Sequence, residues 1–249
     1  MLKFFLSSVL LSVSLLAGEI SVAVAANLSD AIEVLKTEFA KNNPNTKVNT
    51  ILGASGKFTT QIKSGAPFDL FLSADMKFPE NLYAEHFAIT KPVVYASGAL
   101  AMVSTKGLDL SQGIAVLNEP KVEKVAIANP TTAPYGTASI EAFKNAKVFE
   151  KTEPKLVYGD SISQALQFSI TAADVGFVNA SAFYSDKMKN YKEGKEWVMV
   201  DAKLYTPIAQ GIVVLKQAEH NAEAKAFYDF ILSAPAKKIF KSYGYLVNE

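Results

Sequence analysis

The order of apolar and polar segments predicts an α/β fold with largely parallel sheets, and three observations carry that expectation. The first is "EISVAVAANLSDAIEVLKTEFAKNNPNTKVNTILG". A β-branched run passes through Ala25, Ala26 and Asn27, continues with Ile32, Leu35 and Phe39 on one helical face, and ends in a second strand around Val48 to Leu52. The second is recurrence. "GKFTTQIKSGA" sets Phe58 and Ile62 four apart before Gly65, and "FDLFLSAD" reads as a short strand ending in a polar turn. The third is a pair of apolar stretches, "VVYASGALAMVS" and "YTPIAQGIVVL", which read as two crossings between lobes. Alternating β and α segments predict helices covering parallel strands, with a ligand outside the carboxyl ends of the strands.

The crossings divide the chain. One lobe is expected over residues 98–204 and the other over 18–97 together with 205–249. Within the middle segment, "KVAIANP" precedes "YGTASIEAFKNA", and "KLVYGD" precedes "SISQALQFSITAA" and "VGFVNASAF", so the strand-to-helix logic repeats there. The tail "AEAKAFYDFILSAPAKKIFKSYGYL" reads as two lysine-rich amphipathic helices broken at Pro235.

Residues 1–17 have one early charge, Lys3, then an apolar run, then small residues at Ala17 and Gly18. This is the pattern of a secretory signal peptide cleaved near Ala17/Gly18, too short and too poorly flanked for a trusted membrane anchor. A buried N-terminal strand or helix is the competing reading. The sequence has no cysteine, which excludes a lipid-anchored cysteine at the cleavage site, a disulfide framework and thiolate metal sites. A soluble exported protein without a lipid anchor is expected.

The formal net charge is +1, and losing the leader removes one lysine and no acid. A neutral chain of mixed charges offers no basic face for nucleic acid and no polybasic anchor for a membrane surface. All 25 basic residues are lysines. Without arginine there is no bidentate guanidinium clamp, which counts against amino-acid, dicarboxylate and many phosphate-ester ligands.

"GASGKFT", residues 53–59, resembles a nucleotide phosphate loop, but Ile51 stands where the first glycine belongs and Phe58 where the magnesium-binding hydroxyl belongs. What survives is a Gly and Ser turn entering a helix, a geometry that aims backbone N–H groups and a hydroxyl at an anion. "AANLSDA" offers Asn27, "NPTTAPYGTAS" the N–H groups around Tyr135 and Gly136, and "YGDSISQA" those around Ser161 and Ile162. Each turn alone reads as helix capping; four divided between two lobes point to one cleft.

Catalytic readings find little. His86 and His220 lack metal-ligand spacing and read as solvated surface, and no G-x-S-x-G elbow is present. Asp69, Asp75, Asp160 and Asp174 sit near strand ends, where capping is the usual role, with Asp75 after "FLSA" the most interesting. Tyr243 and Tyr245 could suggest phenolate ligation of iron, but alternation about one glycine is better explained by packing of both rings. Lys57 is expected to be solvated. No catalytic residue, cofactor or direct metal-cation ligand is expected.

"VAVAANLSDAIEVL", "GASGKFTTQIKSGAPFDLFLSAD", "ANPTTAPYGTASIEAF", "VYGDSISQALQFSITAADVGFV" and "AKAFYDFILSAPAKKIFKSYGY" together resemble the periplasmic molybdate-binding proteins of ATP-driven (ABC) importers, through almost the whole mature chain. The resemblance implies a type II periplasmic binding fold: two α/β lobes, each a mixed, mostly parallel sheet flanked by helices, a two-stranded hinge, and a cleft that closes on a tetrahedral oxyanion. It implies a periplasmic, monomeric receptor for molybdate, and for tungstate as well, with a membrane permease and a cytoplasmic ATPase as partners. By position it places the oxyanion donors at Asn27, Ser55, the Tyr135 N–H and the Ile162 N–H, with Ala26, Gly56, Ser161 and Asn179 as further candidates. The pattern departs in two places: many members have Ser where Asn27 stands, and many use a tyrosine hydroxyl where Asn179 aligns.

The residues support that reading for an independent reason. Molybdate, tungstate and sulfate are fully deprotonated at neutral pH and only accept hydrogen bonds, so neutral donors suit them; monohydrogen phosphate carries a proton that needs an acceptor. A receptor for sulfate or phosphate, and an exported enzyme or adhesin on the same fold, are the alternatives.

Overall fold

The computed structural model describes residues 18–248, so the signal-peptide segment and its cleavage point lie outside the described residues. The chain runs β1 (Gly18–Ala25), α1 (Ala31–Ala40), β2 (Thr46–Gly53), α2 (Ser55–Lys63), β3 (Leu70–Leu72), α3 (Lys77–Ala84), β4 (Val93–Gly98) and β5 (Leu100–Val103). It continues through β6 (Val125–Ala128), α4 (Pro134–Asn145), α5 (Phe149–Thr152), β7 (Leu156–Gly159), α6 (Ile162–Thr171), β8 (Val175–Asn179) and β9 (Trp197–Met199). It ends with β10 (Ile208–Val214), α7 (Ala222–Ile231) and α8 (Ala234–Ser242). Short 3-10 turns punctuate the chain, one of them at Ala26–Leu28 between β1 and α1.

Two five-stranded sheets form, in the orders β2-β1-β3-β10-β4 and β7-β6-β8-β5-β9. In the first, β1 pairs in parallel with β2 and β3, while β10 runs antiparallel to β3 and β4. In the second, β6 is parallel to β7 and β8, and β5 is antiparallel to β8 and β9. These are two mixed sheets flanked by helices, as a two-lobed type II binding-protein fold requires. Strands β4 and β10 belong to the first sheet, and β5 begins the second just beyond Ala99.

Burial follows from the parallel arrangement. A central strand covered by helices on both faces must be apolar throughout rather than alternating. Val125–Ala128 is buried at every position, as are Leu70–Leu72 and Val175–Asn179. In the first lobe Ile20, Val22 and Val24 pack with Leu35, Phe39, Phe227 and Phe240 on one face of the sheet, and Ala23 and Phe71 pack with Phe58 and Leu82 on the other. In the second, Ile127, Phe143 and Phe177 anchor a single core. The two C-terminal helices form as the sequence predicts, with Pro235 in the first turn of α8, where its missing N–H costs nothing, and Ser233 accepting the Ala236 N–H as a cap.

After α8 the chain returns to the first sheet, where Ser97 and Leu246 exchange N–H···O bonds of 2.7 and 2.9 Å. That pairing holds the adjacent Tyr245, which is buried. No described helix is long and apolar enough to cross a membrane.

Candidate functional site

Four strand ends converge on one point. β1 leads into the Ala26–Leu28 turn, β2 into α2 at Ser55, β6 toward α4 at Pro134, and β7 toward α6 at Ile162. Asn27, Ser55, Tyr135 and Ile162 line one small cavity there, with Ala25, Ala26, Gly53, Ala54, Ala74, Ala133 and Pro134. Its volume is ≈ 10 Å³, on a measure by which one water needs about 10–15 Å³, so it excludes an organic solute, and a tetrahedral oxyanion would enter only as the lobes part. None of its lining residues is ionisable in the range where receptors work. Three helices, α2, α4 and α6, begin at this cavity, and the partial positive charge at their N-termini favours an anion.

The donors can be followed one by one. Ser55 is 1% exposed, and its Oγ accepts the Ala74 N–H at 3.0 Å, which leaves the hydroxyl proton free to donate. In α4, Pro134 has no N–H, and the Gly136 and Thr137 N–H groups donate to the Ala133 carbonyl, so Tyr135 carries the first turn's remaining donor. In α6, Ser161 caps the helix by accepting the Gln164 N–H at 3.3 Å, and its carbonyl takes the Ala165 N–H. Ser161 therefore serves as an N-cap beside the cavity, and Ile162 reaches it.

Other candidates are engaged elsewhere. The Gly56 N–H donates to the Thr132 carbonyl at 2.8 Å, across to the second lobe, so it is a bond between lobes and not a free donor. A Cβ at Gly56 would lie 2.9 Å from both Thr132 Cα and the Phe78 ring, which is why the lobes meet at a glycine. Ala26 lines the cavity, and its carbonyl accepts from Ser163 Oγ at 3.1 Å. Asn179 stands behind the cavity, its Nδ2 2.7 Å from Ser181 Oγ and 3.3 Å from the Asn27 carbonyl. Asn27 lines the cavity, yet its Nδ2 is directed to Gln210 Oε1 and the Tyr245 hydroxyl, each at 3.0 Å.

The surrounding network was not foreseen from sequence. Gln210, fully buried on β10, touches Asn27, Tyr95 and Tyr135. The Tyr245 hydroxyl donates to the Asn27 carbonyl at 2.8 Å and lies 2.9 Å from Ser181 Oγ. Burial pushes the phenols of Tyr95 and Tyr135 well above their ordinary range and that of Tyr245 to about 12, so all three stay neutral. The "YGY" sequence was the available signal; the structure gives Tyr245 a packing and hydrogen-bonding role in this network.

Similarity to characterised proteins agrees with this geometry. Residues 20–246 match the model for bacterial extracellular solute-binding proteins. The molybdate-binding protein ModA of Rhodobacter capsulatus is 41% identical over 93% of this chain and 90% of its own length, and that of Azotobacter vinelandii is 38% identical over 95% and 93%. The solved periplasmic molybdate-binding protein of Azotobacter vinelandii superposes with a TM-score of 0.85 at 32% identity, covering 92% of this chain and all of that one. The chain belongs to the molybdate-binding protein family.

In this family member the two lobes are also tied at the surface. Lys57 Nζ lies 3.0 Å from Asp160 Oδ2 and Lys187 Nζ 2.7 Å from Asp30 Oδ1, each pair joining one lobe to the other. Lys57 is exposed, as the sequence led us to expect, and its solvated amine also pairs across the lobes, because the turns of α2 and α6 face each other. Asp75 caps α3, its Oδ1 accepting from Ser73 Oγ and the Phe78 N–H, and burial raises its carboxyl above the ordinary range. A larger cavity of ≈ 320 Å³ lies beside it, lined by two carboxylates, Asp75 and Glu141, against one lysine, Lys77, a balance that does not favour a doubly charged anion. The small neutral cavity is the better anion site despite its size.

Proposed function

We propose that this molybdate-binding-family chain is an exported receptor that encloses molybdate, and tungstate with it, between its lobes. It delivers the ion to a membrane permease driven by a cytoplasmic ATPase. Residues 18–97 and 205–249 make one lobe and 98–204 the other, residues 1–17 are the leader removed near Ala17/Gly18, and the mature chain is a soluble periplasmic monomer. Binding and lobe closure are its whole chemistry.

The observation that carries this reading is the small cavity lined by uncharged residues at the N-termini of three helices. A doubly charged oxyanion in such a space is held by the Ser55 hydroxyl, the N–H groups of Tyr135 and Ile162, and the Asn27 amide. Hydrogen bonds to a charged group contribute about 1.5–3 kcal/mol each. A few of them, sealed from water, support sub-micromolar binding. The names carried by the relatives at 41% and 38% identity point to the same ion.

One observation favours a second reading. Asn27 Oδ1 is buried without a partner among the described residues, and an acceptor at the cavity would suit a protonated oxyanion such as monohydrogen phosphate. Thermal denaturation of the mature protein with molybdate, tungstate, sulfate, phosphate and citrate separates the readings. A ligand at a hundred times its Kd adds about 2.7 kcal/mol of stability. Large shifts with molybdate and tungstate alone are expected. A shift with phosphate or sulfate instead would replace the ligand, and a flat panel would remove the receptor function.

A further inference from the structure

The hydrogen bonds around Gln210 conflict as they stand. The Tyr95 hydroxyl is 3.0 Å from the Ser73 carbonyl and 2.8 Å from Gln210 Oε1, two acceptors for one proton. Asn27 Oδ1 is buried and has no partner among the described residues, while Asn27 Nδ2 is spent on Gln210 Oε1 and Tyr245. An orphaned buried acceptor is costly, and each unmatched group calls for a physical explanation.

A primary amide is nearly symmetric in shape but opposite in polarity at its two ends, so a half-turn exchanges donor and acceptor without moving heavy atoms. Turning Asn27 alone fails, because Oδ1 would then face Gln210 Oε1 at the 3.0 Å separation now spanned by a hydrogen bond. Turning both resolves most of the conflicts. Gln210 Nε2 then donates to Asn27 Oδ1 and to the Tyr95 oxygen, and the Tyr95 proton goes to Ser73 alone. Gln210 Oε1 accepts from the Tyr135 hydroxyl, now 3.2 Å from Nε2. Tyr245 then shares its proton between Oδ1 and the Asn27 carbonyl, which Asn179 and Ser181 also approach at 3.3 Å. The atom left without a protein partner becomes Asn27 Nδ2, a donor on a residue that lines the cavity.

We infer that Gln210 sets the polarity of the Asn27 amide, so that the cavity presents N–H rather than C=O and selects fully deprotonated oxyanions. Gln210 is a positioning residue, acting through Asn27, and the inference rests on the oxyanion reading above. It makes the discrimination between molybdate and monohydrogen phosphate depend on a side chain at the hinge, one residue removed from the ligand.

A double-mutant cycle read by calorimetric titration with sodium molybdate and with phosphate tests it. Gln210→Met is expected to weaken molybdate binding about tenfold or more and to narrow the molybdate-to-phosphate ratio. Added to Asn27→Ala, which leaves no amide to orient, the same change is expected to cost less than about twofold. Equal losses in both backgrounds, or equal losses for both ions, would make Gln210 a packing residue and overturn the inference; no loss would overturn it as well. Should Gln210→Met fold poorly, Tyr95→Phe removes the acceptor that holds Gln210 Nε2, and its effect must again depend on Asn27. A folded parent that binds no molybdate would instead defeat the receptor reading itself, and the inference with it.

Discussion

In the proposed site the two halves of the cavity are built differently. The first lobe contributes side chains, the Ser55 hydroxyl and the Asn27 amide, whose donor character depends on neighbours such as Ala74 and Gln210. The second contributes main chain, with Tyr135 and Ile162 at the first turns of α4 and α6. Side-chain donors can be changed by one substitution and must be oriented by a supporting network. Main-chain donors are insensitive to residue type and depend on where the helix is held. The first half can therefore tune selectivity, while the second supplies a fixed positive end.

The largest effect should come from moving a helix of the second lobe. A Cβ on Gly136 would lie 2.1 Å from the Ala128 carbonyl oxygen, a backbone atom that cannot step aside. Gly136→Ala is expected to cost about 3 kcal/mol of stability by urea unfolding, the upper range for overpacking. A variant as stable as the parent would mean α4 is not held by that close approach.

Next come the donors, and here the comparison can be broken. Ser55→Ala should weaken molybdate binding by about 1.5–3 kcal/mol. Ile162→Val should change little, because the proposed contact uses only the N–H. Ile162→Pro removes that N–H at a position where helices accept proline, after a Ser161 whose φ of −146° and ψ of 169° suit a residue preceding it. It should match the loss in Ser55→Ala by calorimetry while the far-ultraviolet circular dichroism is retained. Parent-like binding by Ile162→Pro would show that the Ile162 N–H is not a donor and leave Tyr135 as the second lobe's one main-chain contact.

Smaller still is the surface bond between the lobes. Lys57 and Asp160 are 45% and 75% exposed, so Lys57→Gln should reduce affinity by no more than about 1 kcal/mol, an effect that fades in high salt. A loss that persists unchanged in 1 M salt would count against a screened ion pair. The smallest effect expected is that of pH. A raised phenol pKa favours the proton-bound form in the folded protein, so the network keeps its protons until the pH approaches the region of about 12 given by Tyr245. Molybdate affinity should stay level from about pH 6 to 9, and a fall across that range would place a titrating group at the site.

What the sequence revealed follows the same division. Strand-to-helix turns are local, so "GASGKFT", "APYGTAS" and "GDSISQ" could be read as cavity-facing from a dozen residues each, and all three meet there. The network that orients Asn27 joins residues 183 and 218 positions apart, Gln210 and Tyr245, and no local periodicity announces such a pair. Gln210 sits in an apolar strand where a polar residue is conspicuous, a signal that went unused. The return of Leu246 to pair with Ser97 was equally hidden, since two residues make no strand pattern. Lys57 is solvated as expected, but its partner, Asp160, lies on the other lobe and was hidden for the same reason.

The most direct test is to crystallise the mature protein with tungstate and locate the tungsten by its anomalous scattering. The account predicts one strong peak in the small cavity, with oxygens in hydrogen-bonding reach of Ser55 Oγ, the Tyr135 and Ile162 nitrogens and Asn27 Nδ2. A peak in the larger space beside Asp75 and Glu141, or oxygens that leave Ser55 and Ile162 uncontacted, would contradict it.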